Sequence, residues 1–550
     1  SKRMKRFTSA FVGLLLVAFL LVAASSPSHT VEASQGGGTP CAGCTMILTI
    51  VLDLAAIHNK AVDKALEDYC SILPPPIANP CIDFLDKYGA LLVKLVAEGA
   101  SSDDICQSLG VCTLPQCRLF PQKKGLPFKR VTTLSDETGG LFQWIEDAIN
   151  RFANLHDPVF DVDGDFFSDT GTFRGAYWRG KDCDPLSGDV YPGRNSTTLP
   201  PEFDHNCNGI KGTNRQHQSY EDLYCGSSDP RGVIILGDSA TAHFRLPPQY
   251  LNASAITAST YDHVLFWGEN EFDWPHRSWG TGHLNDTTGD CTGPLQSIYL
   301  QMRQRNLCNH RDFQNIGVNG ARSGAMQPPG IIDSMARKQT SDHPALVFYA
   351  LVGNDVCHSS TSTSAFTTPQ EFEQNVLGSL NYLDANLPPN SHVVFVGLVD
   401  GRVLWDTMHN RTHPIGCTYP EFYDYLNCLE ISPCWGWLNS NATVRDETSA
   451  AAKSLNQVYK QIIAQYTFKN FDMVYYDFPL IPVFTYWIAK GGAPYELIEP
   501  SDGFHPSQIT NALVAEYLFG QLERDHPDFI GPVNPNNAQI QSLFGDQGGY

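Results

Sequence analysis

The sequence predicts a multi-domain chain. A small all-α domain tied by disulfides comes first, then an irregular acidic segment, then a larger α/β domain with a parallel sheet flanked by helices. Three observations carry this. Cys41, Cys44, Cys70, Cys81, Cys106 and Cys112 bracket segments with apolar residues at three- and four-residue steps. Between residues 155 and 225, Asp and Asn alternate ahead of glycine. From residue 230, short apolar runs ending in glycine alternate with helical patterns, as βα units do. At 550 residues the chain is too long for one ordinary core. At 42% apolar it is too rich in core-forming residues to be disordered.

The chain opens with Lys2, Arg3, Lys5 and Arg6, an apolar run FVGLLLVAFLLVAA over 11–24, and then small residues. This is the layout of a secretory signal, and residues 1–34 are assigned to it together with any propeptide. A membrane anchor competes with this reading, but the run is short for a span. No later segment reads as apolar enough to cross a bilayer. Sixteen cysteines and five N-x-S/T sequons, at Asn195, Asn252, Asn285, Asn410 and Asn441, fit glycosylation in an oxidising, secreted or lysosomal compartment. Lys and Arg number 37 against 58 Asp and Glu, a net charge of −21, which argues against a nucleic-acid partner.

The small domain spans residues 37–118. MILTIVLDLAAIHNKAVDKALEDYC and CIDFLDKYGALLVKLVAEG place apolar residues at helical steps, with Lys, Asp and Glu between. SILPPPIANP, between Cys70 and Cys81, is expected to be non-helical, because proline lacks the amide donor and clashes with the preceding turn. Two helical hairpins tied by cystines result, as a thin core requires. Spacing alone leaves the pairing open. The module resembles saposin B-type domains. That resemblance implies the pairs Cys41–Cys112, Cys44–Cys106 and Cys70–Cys81, and a module that binds lipid by opening an apolar helical surface. The helices carry more Leu, Ile and Val than a small closed core needs. Cys117 stands outside this set. Nine cysteines follow, from Cys183 to Cys434; the number is odd, so one of them is expected to pair with Cys117. Residues 119–140 read as a linker, with Lys129-Arg130 as a processing site. Cleavage there would leave small and large chains joined by a disulfide.

The acidic segment, 155–225, offers Asp157, Asp161, Asp163, Asp165 and Asp169, then Asp182, Asp184 and Asp189, then Asp204, Asn206 and Asn208 ahead of Gly209, with Asp222 beyond. Alternating oxygen donors before a turn glycine wrap a hard cation, and oxygen without paired His or Cys favours Ca²⁺ over zinc. The segment resembles extracellular calcium-binding repeats. It departs from an EF-hand, since Arg215 stands where the loop's bidentate glutamate belongs. Irregular loops holding more than one structural Ca²⁺ are expected.

Residues 230–525 carry the chemistry. VIILGDSATAHF brings a buried-looking strand into a turn that presents Ser239, the position at which open α/β sheets place active sites. NIGVNGARSG, ALVFYALVGND and SDGFHPSQITNALVAEYLFGQL follow, each with its polar residues at a strand or helix end. These four blocks in this order resemble the GDSL lipase and esterase family. The resemblance implies Ser239 as nucleophile, His505 as general base and Asp502 as the residue that orients it. It implies an oxyanion hole of the Ser239 and Gly320 amides with the Asn354 side chain. Asp238 reads as turn scaffolding and Asp355 as a loop cap. Two insertions rich in Trp, Tyr and His, residues 261–280 and 401–422, read as walls of a substrate cleft.

Saposin-like module, calcium-rich segment and GDSL hydrolase in one chain together resemble the acyloxyacyl hydrolase family. The resemblance implies a serine esterase, secreted or lysosomal, that removes secondary fatty acyl chains from lipid A of bacterial lipopolysaccharide at a membrane or micelle surface. The catalytic blocks alone leave open a broader phospholipase or lysophospholipase. A non-catalytic lipid-binding or transfer protein is a third reading, which the intact Ser239, Asp502 and His505 oppose.

Overall fold

The computed structural model describes residues 38–121 and 156–550. The signal segment, and the linker from residue 122 onward with Lys129-Arg130, lie outside the described residues.

The small domain contains α1 (Gly38–Ile57), α2 (Val62–Ser71), α3 (Pro75–Ala97) and α4 (Ser102–Ser108). The disulfides are Cys41–Cys112, Cys44–Cys106 and Cys70–Cys81, as the saposin resemblance implies. Two expectations need correction. Seven of the ten residues of SILPPPIANP are helical, since Ser71 ends α2 and α3 begins at Pro75. Pro75 and Pro76 occupy the first turn, whose amides have no intrahelical acceptor, so proline loses nothing there. Pro80 lies inside α3, next to the bridged Cys81. The second correction concerns α1, which is long and apolar enough by length and composition to cross a membrane. Cys41, Met46, Leu48, Ile50, Val51 and Leu54 of α1 are buried, so a run this apolar also serves as the core helix of a small domain. On α3, Ile82 and Val93 are exposed, and Phe84, Leu85 and Leu91 are half-buried.

The α/β domain is built on five parallel strands: β1 (Gly232–Gly237), β2 (Phe313–Gly317), β3 (Ala345–Ala350), β4 (Ser391–Val396) and β5 (Phe471–Tyr476), in the order β2-β1-β3-β4-β5. Every residue of β1 to β4 is buried, so β1, β3 and most of β4 read as continuous apolar runs, whereas β2 carries Gln314 and Asn315, whose side chains bond the Ala336 and Thr241 carbonyls. The chain leaves β1 for one neighbour, β2, and then returns to its other side as β3. The strand order therefore reverses at β1, and a crevice forms beyond its carboxyl end. Six helices matter below: α5 (Ser239–Ala242), α6 (Pro369–Asn386), α7 (Tyr419–Cys428), α8 (Ala442–Gln465), α9 (Leu480–Ala489) and α10 (Gln508–Asp525). Capping boxes start α6 and α7. Thr368 and Glu371 bond each other's backbone amides, and so do Thr418 and Glu421.

The two domains touch at defined points. The Tyr69 hydroxyl lies 3.3 Å from that of Tyr261, and Cys41 Sγ 3.6 Å from the Tyr425 hydroxyl. At Gly38 a Cβ would come within 2.4 Å of the Leu429 carbonyl oxygen, so only glycine allows this approach. The partner of Cys117 is Cys428, at the end of α7. The other downstream cystines are Cys183–Cys207, Cys225–Cys308 and Cys357–Cys434. Cys291 and Cys417 are buried thiols, pushed up by burial to about 11 and about 12.

The first insertion is core rather than cleft wall. Trp267, Trp274 and Trp279 are at most 2% exposed, and the Trp279 ring packs edge-on against Phe348 of β3. Tyr261, in the same insertion, seats the helical module through Tyr69. Aromatic richness signals burial as readily as a binding surface.

Candidate active site

Ser239 is the first residue of α5, directly beyond β1. Asp238 makes the turn. Its Oδ1 accepts the Ala240 amide at 3.0 Å and its Oδ2 accepts the Val352 amide at 2.8 Å, so one carboxylate ties the ends of β1 and β3. At Gly237 a Cβ would meet Thr241 at 2.3 Å, which fixes glycine before the turn. Burial pushes the Asp238 carboxyl up to about 7, against the pull of those amides. Its folded pKa therefore exceeds its unfolded value, and its contribution to stability is whole at low pH and lost as pH rises through about 7. In Asp238→Asn that loss vanishes. Relative to wild type, the melting temperature of the variant should climb between about pH 4 and 7, on top of a constant cost from the amide facing a backbone N–H. A pH-independent difference would remove Asp238 as the source.

His505 Nε2 lies 2.8 Å from Ser239 Oγ, and its Nδ1 lies 2.6 Å from Asp502 Oδ2. With Nδ1–H donated to Asp502, Nε2 is left to accept the serine proton. Asp502 Oδ1 also accepts the amides of Phe504 and His505, at 2.8 and 3.1 Å. Burial would raise the Asp502 carboxyl, but the His505 imidazole and these hydrogen bonds outweigh it and hold the group below its ordinary value. The Phe244 ring packs 4.8 Å from that of His505.

Ser239 and His505 open onto a narrow slot of about 50 Å³, walled by Val352, Leu404, Trp437, Phe478, Leu480 and Phe504, with Asp502 outside the lining. Asn354 also lines it. Gly320 sits in the turn after β2, at φ +73°, outside the lining. Ligand pockets run to roughly 300–1,000 Å³, so a long acyl chain enters this slot only if a wall moves.

The second insertion does line a cavity. Met408, Arg411, Pro414 and Tyr419 face a space of about 610 Å³, whose far wall includes Ile498 and Ser507 on either side of the Asp502–His505 loop. It also holds that loop. The Tyr419 hydroxyl donates to the Pro500 carbonyl at 2.7 Å, the Tyr423 hydroxyl to Gly503 O at 2.8 Å, and His413 Nε2 lies 2.9 Å from Ser501 O. Gly503 has φ +64°, and a Cβ there would sit 2.2 Å from the Tyr423 hydroxyl. Tyr423→Phe removes one such tie. The expected result is a roughly tenfold fall in kcat on a short soluble ester with KM unchanged; a change in KM alone would count against a positioning role.

With this geometry in place, the family relations can be read. The GDSL-like lipase/acylhydrolase family model matches residues 233–518, which include Ser239, Asp502 and His505, and the saposin-like domain model matches residues 40–136. Acyloxyacyl hydrolase of Mus musculus is 38% identical over 98% of both chains, and that of Homo sapiens 37% identical over 98% of both. The enzyme of Oryctolagus cuniculus is 38% identical over 93% of both. The chain belongs to the acyloxyacyl hydrolase family. It is a lipase-type hydrolase with a saposin-like lipid-binding module.

Within this acyloxyacyl hydrolase family member, Asp355 joins two of the four sequence blocks. Its carboxylate accepts the Ser323 amide at 3.0 Å and the Ser323 hydroxyl at 2.7 Å, so it caps the turn that follows Gly320.

The acidic segment resolves into two groups. Carboxylate oxygens of Asp161, Asp163 and Asp165 lie within 4.8 Å of one another. Asp182 adjoins them, and its charge bears on Asp165. Burial, together with the charges around them, raises Asp165 to about 7 and Asp182 to about 6. In the second group Asn206 and Asn208 donate to the carboxylate of Glu221, while Gly209 donates to Asp204. Asp157, Asp169, Asp184, Asp189 and Asp222 are exposed, and Asp189 pairs with Arg194. Glu221, buried, takes the inward position that the sequence reading gave to Asp222. The start of the helix Tyr220–Tyr224 decides which of these adjacent acids turns inward, and spacing alone does not reveal it. Asp165 Oδ2 and Asp204 Oδ1 are buried without a hydrogen-bond donor, and the carboxylates of the first group fit a hard cation. In the second group Asn206 and Asn208 spend their oxygens on backbone amides, contrary to the sequence expectation, which leaves Asp204 and Glu221 as its acidic oxygens.

Proposed function

We propose that this protein removes the secondary, acyloxyacyl-linked fatty acyl chains from lipid A of bacterial lipopolysaccharide. The contact chain Ser239–His505–Asp502, opening onto an apolar slot, carries the reading. Ser239 Oγ attacks the ester carbonyl as His505 Nε2 takes its proton. The Ser239 and Gly320 amides and the Asn354 side chain receive the developing oxyanion, each donor worth about 10²–10³ in rate. The imidazolium, steadied by Asp502, protonates the departing 3-hydroxyl oxygen. Water then attacks the acyl-enzyme with His505 as base, which frees the fatty acid.

The lipid-binding module suits a substrate whose ester lies within a membrane or micelle. The acidic segment holds structural Ca²⁺, at Asp161, Asp163, Asp165 and Asp182 and at Asp204 with Glu221. Ca²⁺ would supply charge neutralisation and loop order there, and takes no part in the ester chemistry. Asn195, Asn285, Asn410 and Asn441 are exposed and Asn252 is half-exposed, as glycosylation of a secreted or lysosomal protein requires. Cleavage at Lys129-Arg130 would yield small and large chains joined through Cys117–Cys428.

The test is mass spectrometry of the products from purified lipopolysaccharide, with wild type beside Ser239→Ala. Release of the secondary acyl chains alone, lost in the variant, is expected. Release from phosphatidylcholine vesicles and none from lipopolysaccharide would make the protein a phospholipase.

A further inference from the structure

α9, LIPVFTYWIA, contains no charged residue. Its inner stripe is ordinary: Leu480, Val483 and Phe484 are buried, one turn apart on the face that meets the domain. Its outer face is apolar as well. Ile481 is 51% exposed, Tyr486 49% and Ile488 51%. Thr485 turns its hydroxyl back to the Ile481 carbonyl at 2.9 Å, which leaves the Tyr486 phenol as the polar tip of that face. A helix that is apolar all round belongs in a core or in lipid, and this one lies at the surface. Its ten residues are too few to span a bilayer.

The surroundings identify the partner. Phe478 and Leu480 wall the slot at Ser239 and also line a groove of about 660 Å³ on the far side, together with Ile481 and Pro482. Lys453 and Lys460, seven residues apart on one face of α8, line that groove. Lys460 lies over the Tyr475 ring, and Lys490, just past α9, over Tyr486. Asp400 and Asp477 also line the groove and keep their charges while accepting the hydroxyls of Ser449 and Tyr475, so Lys453, Lys460 and Lys490 exceed them by one charge. None of the three lysines has a carboxylate partner among the described residues. On a chain of net charge −21, an uncharged apolar helix edged by three lysines against two aspartates carries a local positive excess, which favours an anionic lipid surface over neutral lipid.

We propose that the outer face of α9, with Lys453, Lys460 and Lys490 beside it, docks the hydrolase domain on an anionic lipid surface. The inference rests on the lipase assignment and not on lipid A as the substrate. Docking there brings lipid against the wall of the slot, at a place separate from the helical module.

The experiment measures partitioning of the full chain onto vesicles of phosphatidylcholine, with and without phosphatidylglycerol. It compares wild type with Tyr486→Ser/Ile488→Ser and with Lys453→Gln/Lys460→Gln/Lys490→Gln. Turnover of a short water-soluble ester reports folding. Each variant is expected to lose roughly tenfold in partitioning onto the anionic vesicles, with soluble-ester turnover retained. Equal partitioning by wild type and both variants would overturn the proposal and leave binding to the helical module. So would equal wild-type partitioning onto the two vesicle types. A wild-type dimer broken by Tyr486→Ser/Ile488→Ser would give α9 to a second copy instead. Should that variant misfold, the exposed lysine variant carries the test. Partitioning is read without hydrolysis, so a protein that docks as expected yet leaves lipopolysaccharide intact fails the proposed substrate alone.

Discussion

Ser239→Ala folds normally and releases almost no fatty acid, with kcat down by about 10⁶. Ser239 supplies the hydroxyl in contact with His505 Nε2 at the end of β1. Alanine removes one oxygen from a position 8% exposed, so the fold is expected to survive. Asp502→Asn is the companion. Asp502 uses one oxygen for two backbone amides and the other for His505 Nδ1. Asparagine has only one acceptor oxygen. If that oxygen keeps the backbone amides, its NH₂ faces Nδ1, drives the proton to Nε2 and blocks uptake of the serine proton. The loss expected for such a wrong tautomer is about 10⁴ in kcat. Labelling with a serine-reactive phosphonate, followed by peptide mapping, checks both. Absence of an adduct on wild-type Ser239 would remove it as the nucleophile and favour a lipid-binding or transfer protein.

Chelation is expected to lower the melting temperature by about 5–10 °C, restored by Ca²⁺ and not by Mg²⁺. Asp161, Asp163 and Asp165 crowd three carboxylates together, with Asp182 beside them. No basic side chain pairs with Asp163, Asp165 or Asp182 among the described residues. Without a cation this grouping repels itself, and the buried Asp165 Oδ2 and Asp204 Oδ1 lack any donor. Cys183–Cys207 joins the two groups, so loss of a cation from either would loosen both. Calorimetry with and without chelator gives the answer. An unchanged melting temperature would return the segment to a solvated acidic loop.

Ser239, Asp502 and His505 were legible because each stands at the end of an element with a strong pattern: β1 is four apolar residues between glycines, and α10 follows Ser507 as cap. β1, β3 and most of β4 were legible because burial on both faces leaves apolar runs, whereas β2, with Gln314 and Asn315, and β5, with exposed Asp472, carry a weaker pattern. What holds His505 in place was not. Tyr419, Tyr423 and His413 act through hydrogen bonds to backbone carbonyls about 80 to 90 residues away, and no local spacing encodes them. The Trp-rich insertion misled for a related reason, since composition gives hydrophobicity but not the side to which it faces. The helix at Pro75 shows the limit of reading proline as a stop, because its effect depends on whether the amide it lacks had an acceptor.

The Cys117–Cys428 bridge makes the attachment of the helical module redundant. The module is held once by the chain after Phe120 and once by sulfur. Loss of either connection leaves a single covalent object, in which the module stays at high local concentration and returns to Tyr261 and Tyr425 without diffusing away. Loss of both turns its return into an encounter between two molecules, set by dilution. For a chain already cut in the linker, exposure to a reducing compartment therefore makes retention of the module depend on protein concentration, whereas for an uncut chain it does not.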